Sequence, residues 1–160
     1  MHIEIINSDK VTAIKIFLFI ASVFWFTGII SPCFDIGLFR ALYPFQKQVY
    51  SIVCHQDINK SFNCSNIYFL VCARCSGIYL GSAIISLAVI LVNRPIKIKT
   101  KLLVLLSLPL LADVLFTTIK LYNYNKLLSA ITGLLFGSIV FLYILSAIEN
   151  LLLQKKIHEF

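Results

Sequence analysis

The chain has 160 residues and a net charge of +7, from 14 Lys and Arg against 7 Asp and Glu. With 59% hydrophobic residues and a mean hydropathy of +0.91, it carries more apolar surface than a soluble domain of one-domain length can bury. That excludes an ordinary soluble enzyme, and the basic balance belongs to helix ends and short loops rather than to a nucleic-acid surface, since no basic stripe with interleaved aromatics is present.

Residues 1–10 are mixed and polar and read as a short cytoplasmic tail. The first spanning helix is expected over residues 11–32. It is apolar except for Lys15, which is placed to snorkel near its start, and it stops at Ser31-Pro32. The run is long enough to span and further spans follow, so a cleavable signal peptide is not expected. Residues 33–53 mix Asp35, Arg40 and Lys47 with Leu38, Leu42 and Phe45. This is the pattern of one or two short helices lying in the membrane interface, with a plain loop as the alternative. Residues 54–68 are polar and lack a period. The remaining spans are expected over 69–92, 101–122 and 127–153, separated by the basic connection 93–100 and a tight turn at 123–126. The expected fold is an all-α integral membrane protein: one domain, 1–160, built as a four-transmembrane-helix bundle with an interfacial segment and a Cys-rich outer segment, 54–75.

Four spans put both termini on one side. Lys10, Lys15, Arg94, Lys97, Lys99, Lys101, Lys155 and Lys156 fall there, against Arg40, Lys47, Lys60, Arg74, Lys120 and Lys126 on the other. The bias predicts cytoplasmic termini in an inner (cytoplasmic) membrane, with the cysteines facing outward.

Four of the five cysteines and the one interior histidine lie between Cys54 and Cys75. Cys72-Ala73-Arg74-Cys75 is a C-x-x-C at the mouth of an apolar helix. Two sulfurs at that spacing bind one metal ion or close one disulfide, while a helix N-terminus and Arg74 favour the thiolate. Cys54 and His55 precede the pair. The spacing predicts a zinc site on Cys54, Cys72 and Cys75, with His55 or Asp113 as fourth ligand. Adjacent Cys54 and His55 need a turn between them to reach the same ion. An unligated His55 would serve as an acid or base beside it.

Asp113 is the one acidic residue well inside a span, about eight residues (roughly 12 Å) below the end of the third span. A carboxyl there is paired, metal-bound, protonated between helices, or facing a wet cavity. Pro109 is expected to kink that span and free a carbonyl. Gly77 and Gly81, and again Gly133 and Gly137, form G-x-x-x-G pairs that let helices two and four approach closely. The thiols, Asp113 and Gly133 fall at similar depth. The candidate catalytic residues are therefore His55, Asp113 and Arg74.

The same thiols support a redox reading, pairing Cys72 with Cys75 and Cys54 with Cys64 on an oxidising face. Its layout is similar to quinone-linked disulfide oxidoreductases, but the 123–126 loop lacks the cysteines those families carry there. Cys33 reads as an idle thiol. A third reading is an accessory subunit of a larger membrane complex, with the cysteine segment as a folding clamp.

Cys54-His55-Gln56, Ser61-Phe62 and Val71-Cys72-Ala73-Arg74-Cys75-Ser76-Gly77-Ile78-Tyr79-Leu80-Gly81 resemble the C-H-Q … S-F … V-C-A-R-C-[ST]-G-I-Y-x-G pattern of an uncharacterised family of small prokaryotic membrane proteins, a domain of unknown function. Pro109-x-x-x-Asp113 and Thr132-Gly133-x-x-x-Gly137 extend the likeness to roughly residues 50–140. The resemblance implies a multi-span membrane protein and singles out Cys54, His55, Gln56, Cys72, Arg74, Cys75, Gly77, Tyr79, Gly81, Asp113, Gly133 and Gly137. It leaves Cys64 outside the pattern and implies no activity.

Overall fold

The computed structural model describes residues 2–34, 37–64, 67–92 and 98–157. Among the described residues, four helices are long and apolar enough to cross a membrane: Val11–Cys33, Ala73–Val92, Thr100–Thr118 and Lys126–Leu151. Their large side chains face outward. Phe24 is 77% and Leu91 76% exposed, which suits lipid as the surrounding solvent. The chain is an all-α membrane bundle with one small β-hairpin. The basic residues Arg94 and Lys97, and Asp35 of the interfacial segment, lie outside the described residues.

Helix α1 (His2–Ile30) ends in a 3-10 turn at Ser31–Cys33 with Pro32 in its first positions. The interfacial segment is a single helix, α2 (Gly37–Ser51), that tolerates Pro44 inside it. It folds back on the end of α1. The Tyr50 hydroxyl donates to the Trp25 carbonyl at 2.7 Å, and Ser31 Oγ lies 2.8 Å from Gln46 Oε1. Gly28 is required there, since a Cβ would strike the Tyr50 hydroxyl. Burial pushes the Tyr50 phenol up to about 12.

Residues 58–64 and 67–72 form regular elements. A 3-10 turn at Ile58–Lys60, capped by the Asp57 side chain on the Asn59 amide at 3.0 Å, leads into β1 (Ser61–Cys64). Strand β2 (Ile67–Cys72) pairs antiparallel with it, Ser61 opposite Cys72 and Asn63 opposite Tyr68. The expected start of the second span at residue 69 is thereby corrected. Residues 69–72 are strand, and α3 (Ala73–Val92) begins directly after Cys72. The run Ile67–Val71 is apolar like the helix it precedes, but its aromatic and β-branched residues suit a pleated hairpin packed on α1.

A disulfide joins Cys33 to Cys64, tying the end of α1 to the hairpin. This corrects two expectations: Cys33 is not an idle thiol, and Cys64 does not pair with Cys54. Hairpin formation brings Cys64 to the end of α1, with Cα atoms 5.9 Å apart. Across a sequence separation of 31, loop-closure entropy alone makes such a bond worth roughly 3–4 kcal/mol. Cys33→Ser is expected to lower the unfolding midpoint in detergent by a corresponding amount, and reductant is expected to do the same to wild type and nothing to the variant.

The helices pack in the order α1, α3, α5, α4 rather than in chain order. Helix α4 (Thr100–Thr118) runs through Pro109 without a break and stops earlier than expected, at Thr118 rather than 122. Lys120 in the left-handed region (φ 57°) turns the chain there. Helix α5 (Lys126–Ile157) starts at Asn125, whose Oδ1 accepts from the Leu127 and Leu128 amides at 2.9 and 3.2 Å. Lys126 Nζ donates to the Ser61 carbonyl at 2.7 Å, docking this turn on the hairpin.

The two G-x-x-x-G pairs face each other. A Cβ on Gly77 or Gly81 would collide with the carbonyl of Ala130 or Leu134, and one on Gly133 or Gly137 with that of Arg74 or Ile78. Gly137→Val is expected to cost at least the roughly 1–3 kcal/mol of an overpacked core, because the obstruction is backbone. Gly37→Val, where nothing lies within 4 Å, is the matched control and is expected to be near neutral in the same unfolding assay.

Lys15 does not snorkel. Its ammonium lies 3.0 Å from Glu149 Oε1, and the two side chains are only 5% and 7% exposed. A lone buried ammonium is costly in lipid, so α5 supplies the counter-charge near the termini-side end of the bundle.

Candidate metal centre

Three elements converge at the opposite end. Cys54 lies three residues beyond the C-terminal end of α2, its amide donating back to the Tyr50 carbonyl at 3.0 Å. Cys72 is the last residue of β2, and Cys75 lies in the first turn of α3. Their sulfurs all lie within 4.8 Å of one another. The three thiols are free, while the other two cysteines are spent on the disulfide. A tetrahedron with metal–sulfur bonds of about 2.3 Å has an edge of about 3.8 Å, so small side-chain rotations bring this triad to ligating geometry.

The triad is half sunk in apolar packing. Cys54 is buried among Ile29, Tyr50, Leu70 and Val71, with Trp25, Cys72, Cys75 and Tyr79 packed against that cluster. Trp25 sits 5.1 Å from the Tyr50 ring and 6.1 Å from that of Tyr79. Cys54 Sγ accepts a hydrogen bond from the Cys72 amide at 3.2 Å. Hydrogen bonds from the Cys72 and Cys75 thiols hold the Cys54 thiol far below its ordinary range, and the same contact pushes the Cys72 thiol up. Three sulfurs gathered at one point, one of them already accepting an amide hydrogen bond, form a cluster that could hold a soft cation.

His55 is not in this group. Gln56 adopts a left-handed backbone (φ 52°), and its Nε2 donates to the Lys47 carbonyl at 2.8 Å. This turn sends His55 outward, where it is exposed, while Cys54 points inward. Neighbouring residues thus differ in burial, one inside the packing and one at the surface. Among the described residues, no histidine or carboxylate joins the three sulfurs.

Asp113 is buried 4% exposed and is not near the triad as a ligand. Its Oδ2 accepts from Arg74, Nη2 at 2.5 Å and Nε at 3.1 Å, and from Ser129 Oγ at 3.0 Å, while Tyr122 donates to Oδ1. Of the alternatives for an intramembrane carboxyl, this is the paired one. The bond to Asp113 raises the Tyr122 phenol. Arg74 also lies over the Tyr124 ring at 5.9 Å. Its charge is therefore directed at Asp113 rather than at the thiols on either side of it. Arg74 and Asp113 act as a positioning pair: they fix the C-x-x-C turn of α3 to α4 and α5.

Tyr122, Ser129 and Trp25 are site residues not expected from the sequence, whereas Tyr79, which shares the aromatic wall with Trp25, was singled out by the family resemblance. Ser129 carried a signal, since Ser129, Gly133 and Gly137 recur every four residues and share one face of α5. Tyr122 carried none, because its approach to Asp113 depends on how the chain turns after α4.

The family model for "Predicted membrane protein (DUF2085)" matches residues 54–143. That interval contains the three thiols, Arg74, Asp113 and the four packing glycines, and excludes α1 and α2. The chain is also 32% identical over 110 residues to "Uncharacterized protein MJ1492" of Methanocaldococcus jannaschii, covering 67% of this chain and 70% of that protein. No solved structure matches the chain. The match over more than half of its length, which takes in the thiol triad and the helices that position it, makes the chain a member of the family described as Predicted membrane protein (DUF2085).

Proposed function

We infer that the protein holds a single soft divalent ion, zinc, on Cys54, Cys72 and Cys75 at the membrane boundary. The observation that carries this reading is the mutual approach of three free sulfurs within 4.8 Å, from elements separated in sequence. Thiolates select zinc or copper(I) over hard cations. Three protein sulfurs leave the fourth position of a tetrahedral ion open, as in catalytic rather than closed structural zinc sites. The Cys33–Cys64 disulfide supports placing this end in an oxidising, extracytoplasmic compartment, with the termini cytoplasmic in the inner membrane, in line with the charge bias.

Elemental analysis of purified protein is expected to find one zinc per chain. Thiol labelling after chelation is expected to modify three cysteines, and five only after reduction. Absence of stoichiometric metal, together with labelling that depends on reductant at Cys54, Cys72 or Cys75, would instead establish the thiol–disulfide redox reading. The observation that favours that reading is the Cys72 amide donating to Cys54 Sγ at 3.2 Å, a contact that stabilises a thiolate there.

A further inference from the structure

The turn that turns His55 away from the sulfurs opens it onto a different feature. A cleft of about 480 Å³ lies between α2 and the hairpin, lined by Tyr43, Lys47, His55, Gln56 and Tyr68 on its polar side and by apolar residues such as Phe69 on the other. No acidic side chain is among the described residues lining it. Two nitrogen bases and two phenols therefore face one space without a counter-charge. The space is of the size that holds a small ligand. The Gln56 bond to the Lys47 carbonyl fixes the two walls to each other.

The position of the cleft identifies what it faces. Helix α2 exposes Phe45 (67%) and Leu42 (42%), and Ile52 just beyond it is 82% exposed. This is the apolar face of a helix lying at the headgroup level. Phe69 also lines a second, largely apolar crevice of about 170 Å³, together with Phe26, Phe62, Leu80 and Leu134 of α1, the hairpin, α3 and α5, and with Ser76 as its one polar residue. A cationic, phenolic cleft thus adjoins an apolar crevice around one shared ring, which matches an amphiphile with an anionic head and a hydrocarbon chain. Lysine binds phosphate as a point charge, and an imidazole N–H and the phenol hydroxyls donate hydrogen bonds to its oxygens.

We propose that the cleft between α2 and the β-hairpin binds the phosphate headgroup of an anionic lipid, held by Lys47 and His55, with its chain entering the crevice beyond Phe69. The site uses residues distinct from the three sulfurs, so it stands whether or not the triad holds a metal.

The test is binding of a fluorescent phosphatidic acid to the full-length protein in neutral detergent, with phosphatidylcholine of the same chains and inorganic phosphate as separate arms. Saturable binding of phosphatidic acid is expected, at least about tenfold tighter than phosphatidylcholine. The Lys47→Ala/His55→Ala variant is expected to weaken it at least about tenfold, while Lys60→Ala, outside the cleft, leaves it unchanged. Unaltered unfolding midpoints and unaltered zinc content in the double variant show that the fold and the thiol site are intact. Equal binding of both lipids, or no loss in the double variant, overturns the proposal. Displacement of phosphatidic acid by inorganic phosphate at equal affinity overturns the assignment to a lipid.

Discussion

Cys72→Ser is expected to empty the metal site: zinc per chain falls from one to below about a tenth under the same purification, with α-helix content unchanged. Losing a residue that merely orients a ligand already costs about 10–100-fold in metal affinity, and a lost thiolate costs more. Cys54→Ser is expected to do the same, although Cys54 stands 18 positions away in sequence, because its sulfur lies within 4.8 Å of the other two. Cys64→Ser is expected to keep its zinc while losing the disulfide to Cys33. The contrast separates ligation from general damage to the cysteine-rich end. The Cys72 thiol is pushed up by its contact with Cys54, so it keeps its proton at neutral pH in the empty site and must release it on metal uptake. Zinc binding is therefore expected to liberate protons and to weaken as pH falls. Calorimetry in two buffers of different ionisation enthalpy measures the number released.

Asp113→Ala is expected to destabilise the bundle by about 3–5 kcal/mol, the cost of breaking a buried ion pair from one side. The Arg74 side chain is 22% exposed and its partner only 2%, so solvent does little to replace the lost carboxylate. Tyr122 and Ser129 also lose their acceptor. Arg74→Leu/Asp113→Leu, which removes both charges, is expected to recover a good part of that loss. A double-mutant cycle on unfolding in detergent reads the coupling directly. Arg74 sits between Cys72 and Cys75, so Asp113→Ala is also expected to loosen the zinc site, by the roughly 10–100-fold typical of residues that position ligands. An Asp113→Ala protein with wild-type stability and zinc affinity would show that the pair neither holds the bundle nor orients the thiols.

The four spans were legible because each is a long apolar run, and length alone distinguishes a spanning helix from a core helix. The hairpin was not, because Ile67–Val71 is as apolar as the helix it runs into and hydropathy cannot separate a short strand from a first helical turn. Glycine spacing showed that helices two and four approach closely, but the order α1, α3, α5, α4 depends on three-dimensional packing. For the thiols, the C-x-x-C and the upstream Cys54 pointed to a common site, and the adjacency of Cys54 and His55 warned that one of them would face elsewhere. The left-handed Gln56 decides which. The Cys33–Cys64 pairing was beyond reach, since connectivity does not follow from cysteine positions. Asp113 announced itself as an intramembrane charge, and its partner stood inside the C-x-x-C. What hid the pair was that Arg74 reads equally well as a group that activates thiols.

The central claim is that three sulfurs of this chain, and no more, share one ion. X-ray absorption at the zinc edge of the purified protein tests it most directly. The expected shell has three sulfurs at about 2.3 Å and one oxygen or nitrogen at about 2.0–2.2 Å. A shell with no sulfur, or with any number of sulfurs other than three, would contradict it.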